Sequence, residues 1–280
     1  MFTAKIENAN GIITLTQNES QWQVVSIVGL NPPKAIVNTT SIAGLDGAVF
    51  NSSKIGTRNI VITLQLNSNI EQNRLMFYRM FRSKVPCTFY FQNESVNAQI
   101  VGYVDTCECN LFRNAQQMQV SMICPTPFFQ SVREYVVDIT NRYGMFEFPF
   151  YTDSPIPMSG YQENRITNIF NSSSETGMII EVEANGLIES VKVMKVDTDE
   201  FIQVNQVLTE GEKLLISTYK GKKSITLVRD NEELNVFGSL EEGSTFLQLE
   251  VGNNLFSYLL NDGEGDASVK IRYRELYRGV

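Results

Sequence analysis

The chain has 280 residues, 42% of them hydrophobic, with 23 Lys and Arg against 31 Asp and Glu and no histidine. That length holds one large domain or two ordinary ones with real cores. The missing imidazole excludes Ser-His-Asp, Cys-His and His-ligated metal chemistry.

Charge is divided unevenly. Residues 1–150 carry 11 basic and 10 acidic side chains, and residues 151–280 carry 12 and 21, for nets of +1 and −9. Such a split points to two distinct surfaces, and an acidic second half argues against phosphate recognition there. The opening Met1-Phe2-Thr3-Ala4-Lys5-Ile6-Glu7 lacks a basic stretch leading into an apolar one, so no export signal is expected. No run approaches the roughly 18 apolar residues of a spanning helix, and no membrane insertion is expected.

Along the first half, Gln21 to Leu30 reads as a strand and Asn31-Pro32-Pro33 ends it. Ala35 to Ala43 and Ala48 to Ile55 read as two arms of a hairpin around Gly44-Leu45-Asp46-Gly47, where Asp-Gly supplies the positive φ of a tight turn. Asn38, Thr39, Thr40, Ser41, Asn51, Ser52, Ser53 and Lys54 make this hairpin too polar to bury both faces in its own domain. It is expected to project and pair with another surface.

Thr57 to Asn67 follows as a strand with Ile60, Ile62, Leu64 and Leu66 on one face. A helix is expected over Asn69 to Lys84, started by a capping box of Ser68 and Glu71. Its apolar arc is Ile70, Met76, Phe77, Met80 and Phe81, and Leu75 stands on the polar side as a candidate contact with another subunit. Thr88–Gln92, Ala98–Val104 and Gln117–Cys124 are further strands, the last leading into the rigid exit Pro125-Thr126-Pro127-Phe128-Phe129.

The four cysteines, Cys87, Cys107, Cys109 and Cys124, lack paired Cys-x₂-Cys knuckles. They are expected as buried free thiols, with Cys107 and Cys109 a core pair on one strand face. No catalytic residue, metal ligand or cofactor is expected.

Pro and Gly punctuate residues 133–163, and the chain is expected to divide there into domains 1–137 and 138–280. The second is a run of short strands spaced about ten residues apart, expected at 165–170, 178–183, 190–196, 201–205, 213–217, 224–229, 232–237, 245–249, 255–260 and 268–273. No helical pattern interrupts them, which is the signature of an antiparallel sandwich or barrel. The acidic loops at 197–200 and 261–266 lack calcium-loop spacing and read as turns. For sugar stacking, the lone Trp22 is in the other half, which leaves Tyr219 and Tyr277 as the exposed aromatics to consider.

The ordered motifs resemble the siphovirus-type tail component family, the distal tail proteins of siphophages. In the first half these are Gly44-Leu45-Asp46-Gly47, Arg58-Asn59-Ile60-Val61-Ile62, the single helix, and Gln119 through Phe129. In the second half they are Phe146-Glu147-Phe148-Pro149, Asn168 to Gly177, Gly211 to Thr218, Leu249 to Asn254, Arg272-Tyr273 and Tyr277-Arg278-Gly279-Val280.

The resemblance implies a mostly β chain of two domains. The first would be an N-terminal β-sandwich with one helix and a projecting hairpin arm; the second, a C-terminal galectin-like antiparallel β-sandwich. It implies a hexameric ring at the virion tail tip, made in the bacterial host cytoplasm, that joins the tail tube protein to a tail-associated fibre or lysin protein and lets DNA pass without sequence-specific binding. The second domain would meet receptor-binding or other baseplate proteins. The hairpin would act as a belt across a neighbouring subunit, through Ala35, Val37, Thr39, Ser41, Asp46, Gly47, Val49, Asn51, Ser53 and Arg58. A cell-wall carbohydrate-binding module is the competing reading.

Overall fold

The computed structural model describes residues 2–16, 21–44, 46–112, 115–140, 142–144, 159–161, 166–261 and 266–280. The expected motif Phe146–Pro149, most of the segment 133–163 where the division was expected, and the core of the acidic loop at 262–265 lie outside them.

The elements run β1 (Thr3–Asn8), β2 (Gly11–Thr16), β3 (Trp22–Val28), β4 (Ala35–Thr40), β5 (Val49–Ile55), β6 (Arg58–Leu66), α1 (Ile70–Met80), β7 (Pro86–Gln92), β8 (Asn97–Cys109), β9 (Gln117–Cys124) and β10 (Phe129–Ser131). They continue with β11 (Tyr135–Asp138), β12 (Arg142–Gly144), β13 (Ser159–Tyr161), β14 (Thr167–Asn171), β15 (Ile179–Ala184), β16 (Val191–Lys195), β17 (Glu200–Val204) and β18 (Lys213–Ser217). The last are β19 (Ser224–Arg229), β20 (Glu232–Asn235), β21 (Gly252–Leu260), β22 (Ala267–Tyr273) and β23 (Leu276–Tyr277).

Two units emerge. The first is Met1–Arg133 together with Leu276–Val280, and the second is Glu134–Glu275. The chain therefore leaves the first unit, builds the second and returns. No residue pattern announces that return, and the expected partition keeps 276–280 with the second half.

In the first unit one antiparallel sheet runs β2-β1-β7-β8-β9-β6-β3, with β10 joined to β8 and β23 joined to β10. Its end strands β2 and β3 approach each other, so the sheet curls around its own inner face. Ile60, Ile62, Leu64 and Leu66 line that face as the alternation requires, in one core with Phe89, Ile100, Met118, Val120 and Met122.

The helix fills the core with a narrow stripe, Asn73, Phe77 and Met80, spaced four and three residues apart. Phe77 meets Trp22 edge-on at 5.4 Å. Met76, expected inside, is exposed with Leu75 and Tyr78.

The expected capping box does not form. Asn69 takes a left-handed conformation as N-cap and makes no side-chain cap bond. The Asn67 and Ser68 N–H groups donate to the Gln21 carbonyl, Asn73 Nδ2 donates to the Ser68 carbonyl at 2.8 Å, and Glu71 is held by Arg74. The backbone before the helix is thus pinned to the preceding chain, which sets its entry in place of a serine cap.

The second unit is a sandwich of a six-stranded sheet, β11-β22-β15-β18-β19-β20, and a four-stranded sheet, β14-β21-β16-β17. Ile180, Val182, Leu214, Ile216, Val269 and Ile271 of one sheet share a core with Val191, Val193, Ile202, Val204 and Phe256 of the other. Asp230 and Asn231, both at positive φ, make the two-residue turn joining β19 to β20. The strand expected over 245–249 is absent, because only Leu249 pairs, with Thr176, in an isolated bridge.

Phe77 is fully buried in the first unit's core. Phe77→Ala should lower that unit's stability by about 3–5 kcal/mol and leave the second unit's transition in place by calorimetry. An equal downward shift of both transitions would contradict two separate cores.

Candidate functional site: an exposed hairpin on a buried arginine root

Among the described residues, strands β4 and β5 pair only with each other. Their register runs from Ala35↔Ile55 to Thr40↔Val49 and slips once at Asn38/Thr39. Every described residue from Lys34 to Lys54 is exposed. A lone two-stranded ribbon has no core and is marginal in water. Two side-chain hydrogen bonds cross it, from Asn38 Nδ2 to Ser52 Oγ at 3.0 Å and from Asn51 Nδ2 to Thr40 Oγ1 at 2.6 Å.

Nine of the ten expected site residues lie on this ribbon or its turn, all exposed: Ala35, Val37, Thr39, Ser41, Asp46, Gly47, Val49, Asn51 and Ser53. The register puts Ala35, Val37 and Thr39 opposite Ile55, Ser53 and Phe50. The expected set includes the apolar Ala35, Val37 and Val49 but leaves out three other apolar side chains of the same ribbon and turn. Ile36, Ile42 and above all Phe50, 62% exposed, are bare. The signal for Phe50 was available, as a large aromatic standing where no partner strand could bury it.

Arg58 is placed differently. It is only 4% exposed and sits beneath the ribbon, so it presents no charge to a neighbour. Its Nε donates to the Pro127 carbonyl at 2.6 Å. One terminal nitrogen donates to the carbonyls of Gly29 and, at 2.8 Å, of Asn31, and the other to the Arg278 carbonyl at 2.6 Å. The guanidinium also lies 4.7 Å from the Phe129 ring centroid. One planar cation thus gathers the chain entering the ribbon, the exit from β9 and the returning segment. Only arginine offers that many donors in a fixed fork.

Gly29 completes the root. Its φ is +99°, and a Cβ there would collide with the Asn59 carbonyl. Burial lowers the Arg58 pKa from the ordinary arginine value, and burial pushes the nearby Cys124 thiol up to about 11. At neutral pH the pair is therefore a cation beside a neutral thiol.

All four cysteines are free. Cys107 and Cys109, expected as a core pair, are only half-buried, past a register shift in β8 between Val104 and Thr106. Burial still drives Cys107 up to about 12.

Outside the ribbon, the outward face of the first unit's sheet shows Val28, Val101, Tyr103 and Ile123 exposed, with Tyr103 and Ile123 paired in register. Among the described residues no group of three or more acidic or cysteine side chains is arranged to hold a metal, and no helix is long and apolar enough to cross a membrane. In the 197–200 loop, Asp197 Oδ1 accepts from the Leu255 N–H and Glu200 accepts from the Thr198 hydroxyl. Tyr219 and Tyr277, the aromatics considered for sugar, are half-buried.

Two family profiles match the chain. The phage tail protein RIFT-related domain takes residues 13–124, and the siphovirus-type tail component, C-terminal domain, takes residues 171–277. No curated protein matches by sequence. Among solved structures the chain is similar to the Dit protein of SPP1, described as a paradigm of hub adsorption apparatus in phages infecting Gram-positive hosts. Identity is 14%, coverage 99% of each chain, and the TM-score 0.69. It is also similar to a chain of the phage P2 baseplate in its activated conformation with calcium, at 13% identity, coverage of 97% of this chain and 98% of that one, and a TM-score of 0.51. The same baseplate with strontium gives 13% identity, 98% coverage of each chain and a TM-score of 0.51.

Replacing Arg58 by Lys leaves buried carbonyls that one ammonium cannot reach, and should destabilise the first unit by about 2–3 kcal/mol in urea unfolding. For the thiols, a raised pKa keeps Cys107 and Cys124 protonated and unreactive well above neutral pH. Iodoacetamide at about pH 8 should label them slowly in the native chain and at ordinary thiol rates in urea, where the pKa returns to about 8.5.

Proposed function

The chain belongs to the siphovirus-type tail component family, and from this premise we propose that it is a structural hub of the phage tail tip, assembled as a hexameric ring through the exposed hairpin. The ring would join the tail tube protein to a tail-associated fibre or lysin protein and leave a channel for DNA. The observation that carries the reading is the ribbon of β4 and β5, apolar and exposed at Ile36, Val37, Val49 and Phe50, with no other described strand paired to it.

A closed ring requires one patch to meet a different patch on the next copy. The ribbon supplies the first, and the exposed Val28, Val101, Tyr103 and Ile123 offer an apolar surface for the second. Domain 1–137, completed by the returning segment, makes the ring in this reading, and domain 138–280 faces outward toward receptor-binding or other baseplate proteins. The almost neutral first half suits a pore that must not grip DNA, since binding strength follows the number of phosphates neutralised. The role is architectural, with no catalytic step, at the virion tail tip after synthesis in the bacterial host cytoplasm.

Light scattering on the purified chain should give the mass of a hexamer or a pair of hexamers. Deleting Val37 to Ser53, or introducing Phe50→Asp, should shift it toward monomer with both unfolding transitions kept. Hexamers that persist without the ribbon would refute the interface.

A further inference from the structure

The root of the ribbon is finished by residues that follow the second unit in the chain. The Val280 N–H donates to the Leu30 carbonyl at 3.1 Å. Arg278 gives its carbonyl to Arg58 at 2.6 Å. Gly279 packs so tightly on Pro32 that a Cβ would lie 2.9 Å from the proline Cδ and 3.0 Å from its nitrogen. Tyr277 pairs with Phe129, whose ring lies under the same guanidinium. Leu30, Asn31 and Pro32 are the residues through which the chain turns from β3 into the ribbon. Four successive residues beyond the second unit therefore bear on that one turn or on its arginine.

We propose that segment 276–280 is a positioning latch for the ribbon, which couples assembly of the first unit to completion of the second. Without the segment, Arg58 loses one of its carbonyl partners and Leu30 its donor. A buried guanidinium with an unmet N–H is costly, so the root relaxes. The ribbon then keeps its own pairing and loses its fixed direction. A ring closes only if the angle between successive copies is set, so a ribbon free to swing disfavours closure. A chain whose second unit is absent lacks the segment, and one whose second unit is unfolded docks it only against the entropy of closing a long loop, so both are disfavoured in the ring. This proposal rests on the reading of the ribbon as the ring contact.

The test uses the full chain with Gly279→Val, which cannot fit against Pro32, and Val280→Pro, which removes a single N–H and spares the fold if the first variant is too disruptive. Arg278→Ala serves as the control, because only the backbone carbonyl of that residue holds Arg58. Hydrogen exchange at residues 29–34 and 55–58 should rise about tenfold in both variants with β6 and β9 unchanged, and the concentration at which rings form should rise about tenfold. The control should match the unaltered chain in both. Exchange at the root that stays unchanged overturns the latch. So does faster exchange with undiminished assembly, provided the Val37–Ser53 deletion abolishes rings. If that deletion also leaves rings intact, the failure belongs to the ribbon as the ring contact.

Discussion

A single buried guanidinium organises the root of the exposed ribbon. Carbonyl oxygens are strong acceptors but carry no net charge, and burying a cation among them is favourable only when its donors are nearly all met. Arg58 achieves this by drawing carbonyls from Gly29, Asn31, Pro127 and Arg278, positions far apart in the chain. The bonds are charge-assisted and directional, so they fix where the chain segments cross as well as holding them together. Phe129 closes the site from one side, and the neutral thiol of Cys124 adds no opposing charge at physiological pH.

The two units solve stability differently. The second relies on two sheets facing each other across aliphatic side chains, with loop ends tied by buried amides. Asn254, for example, donates to the Glu250 and Gly252 carbonyls and accepts from the Glu250 N–H. The first relies on a sheet curled around a helix stripe and then extends a ribbon with no core of its own. Cutting apolar area inside either core costs stability directly. Altering the ribbon changes little in the folded monomer, because among the described residues neither core includes a residue of β4 or β5.

Much of this was legible in the residues, and the misses share a cause. Strand alternation located β6, β9 and most of the second sandwich, because a strand with one buried face must alternate. The Asp-Gly turn and the polar arms located the ribbon. What failed depended on partners distant in sequence. Ser68 and Glu71 have the spacing of a cap, but the Gln21 carbonyl already holds the backbone before the helix. Residues 245–249 carry strand-like residues, yet only the two ends are bonded to other strands or bridges, the Thr245 N–H to the Phe201 carbonyl and Leu249 to Thr176. Arg58 looked like a surface arginine next to a polar arm, and its burial follows from a segment more than two hundred residues away.

The composition of the ribbon answers a conflict that any such arm must face. A bare ribbon with free edges and exposed apolar side chains invites indiscriminate pairing before the right partner arrives. Here Ile36, Val37, Val49 and Phe50 are separated by Asn38, Thr39, Thr40, Asn51, Ser52 and Ser53, and Lys34 and Lys54 stand at the base. Two amide-to-hydroxyl hydrogen bonds cross the strands and help keep the ribbon paired internally. Charged and polar residues flanking short apolar steps weaken nonspecific self-association more than a single complementary contact. Selectivity then comes from geometry, because apolar groups this sparse repay burial only where a partner meets several of them at once. That geometry is what a rigid root supplies, which is why a buried arginine and an exposed phenylalanine belong to the same functional argument.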